Sequence, residues 1–274
     1  MDYWHYLAIG SLFFVLLERL MPWHEPHRTF RPGWLRDLCY LAVNGHLFSF
    51  YTMVFSAALY AKVIALLQGW GFQAEAAVAV GWPLWVQFIA FLFLSDFIQW
   101  CTHVSLHKVP FLWAFHKVHH SIPHLDWAAN FHYHWMENVV YALTRALPWA
   151  WLGADPTAMF WVFVVGTYWG HFNHSNVPLR IGPMRYLFNS PHMHIWHHDA
   201  SDEGGTSKNY GIVLSVWDWL FGTAYWPQDR EPERLGYPGD AEMPQHLTGQ
   251  LVWPIRLNFA SRLVGILARL VRGH

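Results

Sequence analysis

Fourteen of the chain's 20 histidines fall between His103 and His198, and all of these but His124 fall in groups. The groups are His103 and His107; His116, His119 and His120; His132 and His134; His171 and His174; and His192, His194, His197 and His198. An α-helix advances about 100° per residue, so positions i, i+3 and i+4 share a face. His103 and His107 are then about 40° apart. His119 and His120 lie about 60° and about 40° from His116, and His194, His197 and His198 repeat that pattern. His171 and His174 are about 60° apart. Each of these groups can aim its rings at one point. His132 against His134, and His192 against His194, would be about 200° apart on a helix and cannot. One histidine in an apolar helix is ordinarily a satisfied polar group. Two HxxHH triplets with an HxxxH and an HxxH point instead to metal binding. Ten imidazoles exceed what one ion takes, and zinc holds about four ligands. Two ions would share ten nitrogens at about five each. Imidazole suits iron, copper, nickel and zinc alike, so the spacing does not name the metal.

The groups sit among long apolar runs. Apolar residues make up 54% of the 274 and charged residues only 13%, against about 25% charged in a soluble domain. A helix crossing ~30 Å of hydrocarbon needs ~20 residues. Tyr3–Leu20, Leu38–Leu67 and Pro83–His107 are such runs. The first has no basic flank before it and no small-residue cleavage site after it, so it reads as a retained helix. Asn44, His46 and Lys62 interrupt the second, which is expected to pack on protein along one side. Asn138–Leu152 and Thr157–His171 are shorter, and Gly153-Ala154-Asp155-Pro156 between them ends one helix and caps the next. They predict a helical hairpin with both ends on one side. Aromatic residues, at 19%, suit interfacial belts.

The first interhelical loop carries Arg19, Arg28, Arg31 and Arg36, the loop at 68–82 carries no Lys or Arg, and Lys108 and Lys117 follow the third run. The positive-inside rule then puts the N-terminus outside, the C-terminus in the cytoplasm and the histidines at the cytoplasmic face. The expected fold is an all-α integral membrane protein of about three transmembrane helices and a hairpin, under a cytoplasmic His-rich helical cap. Residues 1–226 form that domain, 227–250 read as a linker, and 251–274 contain an amphipathic helix for a membrane surface or the domain itself. A bacterial inner membrane is the expected location. A net charge of −1 leaves no field for nucleic acid. Cys39 and Cys101 are the only cysteines, which excludes a disulfide scaffold or a Cys-based cluster.

The order HxxxH, HxxHH, HxxH, HxxHH around a hairpin resembles the fatty acid hydroxylase superfamily. The strings that carry the resemblance are Asp96-Phe97-Ile98-Gln99 leading into His103, His116-Lys117-Val118-His119-His120-Ser121, and Ser190-Pro191-His192-Met193-His194-Ile195-Trp196-His197-His198. Asn209-Tyr210-Gly211 and Trp217-Asp218-Trp219-Leu220-Phe221-Gly222-Thr223 resemble the stretch after the last box. The likeness covers about residues 83–225. It implies a membrane non-haem di-iron enzyme that uses dioxygen and two electrons to hydroxylate or desaturate a lipid carbon. By position the metal ligands are His103, His107, His116, His119, His120, His171, His174, His194, His197 and His198. Some members space the third pair one residue wider than His171-Phe172-Asn173-His174. The cofactors implied are two iron ions, with zinc able to replace them during purification. The partners implied are a membrane lipid and a separate electron-donor protein, since these residues contain no haem-binding donor domain.

Ligating histidines give their second N–H to carboxylates or carbonyls. Asp96, Asn130, His134 and Glu137 are the candidates for such supporting roles, with Asp199 a weaker one. Asp96 shares the His103 face but is ~10.5 Å along the axis from it, so it would orient a histidine of another helix. A lipid hydroxylase is the first reading and a desaturase on the same site the second. The alternative from another class is a non-enzymatic metal-binding or metal-transporting membrane protein; a transporter would place its ligands near mid-membrane, and a zinc hydrolase needs about three histidines, so both fit ten clustered histidines less well.

Overall fold

The computed structural model describes residues 2–24, 31–48, 78–201 and 208–255, with scattered positions between 55 and 71. Among the described residues the architecture is helical. It contains no strand, only isolated bridges pairing Phe188 with Leu214 and Asp199 with Leu235.

Helix α1 spans Tyr3–Leu20 and α2 spans Trp34–Tyr40, which widens into a π-helical stretch over Leu41–Phe48. The rest of the expected Leu38–Leu67 helix lies largely outside the described residues. Asn44 in the π stretch is buried and donates to the carbonyls of Phe131 (2.9 Å) and Tyr133 (2.7 Å), so that stretch does pack on protein. Helix α3, Leu84–Lys108, is long and apolar enough to cross a membrane, and among the described residues no other helix is. Helix α4, Pro110–His120, follows after one residue, with Pro110 in its first turn.

Helices α5, Trp135–Leu152, and α6, Pro156–His174, form the expected hairpin. Gly153 takes φ +74°, and the Asp155 carboxylate accepts the Thr157 N–H at 2.7 Å as an N-cap. α6 packs against α1 and α3, and α3 also packs on α4 and α5. The buried Glu18 of α1 ties this core together by accepting the N–H groups of Trp127 (2.8 Å) and Asn176 (2.9 Å). Two short helices close the region: α7, Pro191–His197, and α8, Val216–Leu220.

Residues 227–246 have little regular structure, and α9, Leu247–Leu251, follows. Tyr237, Met243 and Trp253 join one buried cluster with Tyr40 of α2 and Val118 of α4. Residues 256–274, with the expected amphipathic helix, lie outside the described residues.

Candidate metal centre

Helices α3, α4, α6 and α7 bring nine of the ten predicted histidines together in two groups. One holds His103, His107, His116, His120 and His197. The other holds His119, His174, His194 and His198. Within each group the candidate ligand atoms lie within 4.8 Å of one another. Each HxxHH box serves both groups. It gives its i and i+4 residues to one and its i+3 residue to the other, because consecutive histidines diverge by about 100°.

The ring tautomers are set from outside. Nδ1–H of His103 donates to the Tyr210 carbonyl (2.7 Å), that of His119 to the His132 carbonyl (3.0 Å), that of His174 to the Gly170 carbonyl (2.7 Å) and that of His197 to the Lys208 carbonyl (2.7 Å). His116 Nδ1 donates to Glu137 Oε2 at 2.9 Å, both side chains being buried. A neutral imidazole has one N–H, so Nε2 of each of these rings carries a lone pair. Yet the Nε2 atoms of His103 and His116 stand 3.1 Å apart, and those of His119 and His174 stand 3.3 Å apart. Facing lone pairs at that separation repel unless a cation lies between them. Nitrogens ~2.1 Å from one ion lie roughly 3.0–3.4 Å from each other. His107 and His120 have both ring nitrogens buried without a hydrogen-bond partner, as is His197 Nε2. The donor set therefore fits two metal ions, one per group.

Electrostatics favour the ligating form. Burial, then the neighbouring rings, hold the imidazoles of His119, His120, His194 and His198 well below their ordinary value. Burial takes His197 down to about 3 against its bond to Lys208.

The loop after the last box is built to present the Tyr210 carbonyl. Asp218 accepts the N–H groups of Tyr210 (2.9 Å) and Gly211 (2.8 Å), and Asn209 occupies the left-handed region at φ 53°. Asp96 serves this loop and touches no histidine ring. It accepts the N–H groups of Val213 (2.9 Å), Leu214 (3.1 Å) and the Trp217 indole (3.0 Å).

Of the other supporting candidates, Glu137 is the one that touches a grouped ring, that of His116. His134 faces away, its Nε2 donating to the Leu251 carbonyl at 2.9 Å. The Asn130 amide packs against Gly170, where a Cβ would collide with it, and its Nδ2 is 3.5 Å from His171 Nδ1, too long for a useful bond. Asp199 caps its own turn through Ser201 N–H at 3.0 Å. His171 belongs to neither group. Its Nδ1 donates to the Trp127 carbonyl at 2.9 Å, and its ring packs on Phe14 and Phe131.

Histidines of both groups, His103, His116, His119 and His174, line a cavity of ≈ 180 Å³. It runs between α3, α5 and α6, with Leu92, Trp149, Val162 and Phe163 on its apolar side. Its polar side includes Tyr3, Gln99, Tyr141 and Arg145, which the sequence reading did not single out. The signal for Arg145 was present, since it is a cation inside a short apolar run.

A model of the fatty acid hydroxylase family matches residues 88–223, the stretch that carries both groups. The chain belongs to the fatty acid hydroxylase superfamily. It is 30% identical over 186 residues to ornithine lipid hydroxylase OlsE of Rhizobium tropici, a match covering 67% of this chain and 55% of that one. It is 30% identical over 146 residues to human alkylglycerol monooxygenase, covering 51% and 30% of the two chains. The alkylglycerol monooxygenase of Caenorhabditis elegans is 25% identical over 136 residues, covering 48% and 26%. This hydroxylase-family chain thus spans about half the length of OlsE and less of the monooxygenases. No solved structure matches it.

Proposed function

We propose that the protein is a dioxygen-dependent lipid hydroxylase, an oxidoreductase, with two irons at the cytoplasmic face of a membrane. The observation that carries this reading is the pair of buried histidine groups with lone pairs turned on each other, opening onto a partly apolar cavity. His103, His107, His116, His120 and His197 would hold one iron. His119, His174, His194 and His198 would hold the other. Iron bound there supplies the activation of dioxygen needed to oxidise an unactivated C–H bond. The net reaction is R–H + O₂ + 2 e⁻ + 2 H⁺ → R–OH + H₂O. The electrons come from a separate donor protein on the cytosolic side.

The chain's own residues do the rest. Leu92, Trp149, Val162 and Phe163 exclude water and receive the apolar part of the substrate. The carbonyls of Tyr210, His132, Gly170 and Lys208, with Glu137, fix ring orientation and leave Nε2 as the ligand atom. The names of the relatives, an ornithine lipid hydroxylase and alkylglycerol monooxygenases, support hydroxylation over desaturation. The positive loops after α1 and α3 support an outside N-terminus and a cytoplasmic C-terminus.

Elemental analysis of protein purified in detergent from iron-supplemented cells tests the reading. About two irons per chain, with hydroxylated lipid appearing only in expressing cells, is the expected result. Folded protein that binds no metal would overturn it.

A further inference from the structure

Arg145 sits on α5 inside the apolar hairpin, half-buried and lining the same cavity as the histidines. Among the described residues no carboxylate lies within ion-pair distance of it. Its Nε donates to the Tyr141 carbonyl at 3.2 Å, and its Nη1 reaches Gln99 Oε1 at 3.4 Å. Its Nη2 has no hydrogen-bond partner among the described residues. Two rings flank it, with centroids 5.3 Å (Tyr141) and 5.5 Å (Phe163) from its Cζ. Those contacts do not neutralise the charge. A guanidinium has five N–H donors and no acceptor, and it stays charged. A cation kept in a partly apolar cavity without a bonded counter-charge is costly and marks a functional site.

We propose that Arg145 receives the anionic group, a phosphate or a carboxylate, of the lipid that enters the cavity. This deepens the lipid-hydroxylase reading and rests on it for the identity of the cavity as a substrate site. Guanidinium is matched to two-oxygen anions by its paired donors, and Nη2 offers two unused ones. Arg145 and Glu137, which holds His116, are eight residues apart on α5, or roughly 12 Å along its axis. An anion held at Arg145 therefore places the oxidised carbon a set distance along the chain from the anionic end. Arg145 is a positioning residue in this scheme and touches no reacting atom.

The test is equilibrium binding of hexadecyl phosphate, palmitate and hexadecanol to the full chain in non-ionic detergent, with metal and after metal removal. A charge-assisted hydrogen-bonded pair is worth about ten- to hundredfold in affinity. The wild-type protein is expected to bind one or both anions that much more tightly than the alcohol. Preference for the phosphate assigns a phospholipid headgroup, and preference for palmitate assigns a carboxylate. Arg145→Gln should lower anion affinity to that of the alcohol while leaving alcohol affinity and iron content unchanged. Arg145→Lys should keep a weakened preference. Equal wild-type affinity for all three probes overturns the proposal whether or not the variants fold. So does a preference that survives in Arg145→Gln. Binding to the metal-free protein is independent of oxygenase chemistry, so failure of the di-iron reading and failure of this one give different results.

Discussion

His119 and His120 are consecutive in the chain, with ring centroids 5.4 Å apart and planes 85° to each other, and they serve different histidine groups. His120→Ala should therefore reduce metal in the five-histidine group and His119→Ala in the four-histidine group. Each single variant is expected to keep about one iron per chain, and the double variant none. Elemental analysis of folded, monodisperse protein checks this. A His119→Ala protein without metal, beside a His120→Ala protein with both ions, would show that the partition is wrong.

Glu137 is the only side-chain carboxylate bonded to a grouped histidine among the described residues, through His116 Nδ1 at 2.9 Å. Losing such an outer partner costs about 10–100-fold in metal affinity. Glu137→Gln keeps an acceptor oxygen and should fall near the lower end, and Glu137→Ala near the upper. Competition against a graded series of chelators measures the difference. Unchanged iron retention in Glu137→Ala would remove its supporting role.

His171 and His174 share a helix face, yet only His174 joins a group. His171→Asn can keep a donor at the Nδ1 position for the Trp127 carbonyl and should leave both irons in place. His174→Asn should lose about one. If His171→Asn loses an iron, the ligand set is ten and not nine.

The contrast between these two residues shows how much the sequence could reveal. Tyr3–Leu20 and the Gly153–Pro156 turn were legible because helix length and capping chemistry are local. The histidine boxes were legible because i, i+3 and i+4 share a face whatever surrounds the helix. Which side of α6 turns toward the other helices is a tertiary fact, so His171 and His174 looked alike. The sorting of each HxxHH box into two groups also needs the relative placement of α4 and α7. Asp96 was legible as a costly buried acid but not by its target, because Val213, Leu214 and Trp217 lie more than a hundred residues away. The carbonyls that orient the rings carry no residue-type signal at all.

His134 gives a pH test away from the metals. It is buried, and burial holds its ring down to about 4, below the ordinary 6.5, against the bond to the Leu251 carbonyl. The unfolded chain therefore takes up a proton that the folded chain refuses between those two values. The stability owed to neutral His134 is complete above about 6.5 and is lost as pH falls toward 4, at up to ~1.4 kcal/mol per pH unit. His134→Gln has no such proton to take up. The wild-type advantage in melting temperature over His134→Gln should shrink steadily from pH 7 to pH 4.5. An advantage constant across that range would show that His134 does not titrate in this way.

Arg31 bridges two acids, Asp37 of α2 and Asp126, and so ties α2 to the segment before His132. It donates to Asp37 at 2.7 Å and to Asp126 at 2.6 Å, and all three residues are buried. Burial alone would raise the Asp37 carboxyl, but the His132 hydrogen bond at 2.6 Å and Arg31 outweigh it and hold the group below 3.8. Asp37 is therefore ionised at neutral pH. Its stabilising contribution is present above that ordinary value and disappears only as pH falls through the lower folded one. Arg31→Met removes the guanidinium from both carboxylates and leaves Asp37 only His132 and, at 3.7 Å, Arg36, which costs up to about 3–5 kcal/mol for a buried pair broken on one side. Without Arg31 the burial of Asp37 is less opposed, so the carboxyl takes up its proton at higher pH. The melting-temperature deficit of Arg31→Met should be largest near pH 8 and smaller at pH 5. Asp37→Asn in the same background should recover part of the deficit at pH 8, because it removes one stranded charge. A deficit independent of pH and unmoved by Asp37→Asn would mean that Arg31 acts through packing and not through its two ion pairs.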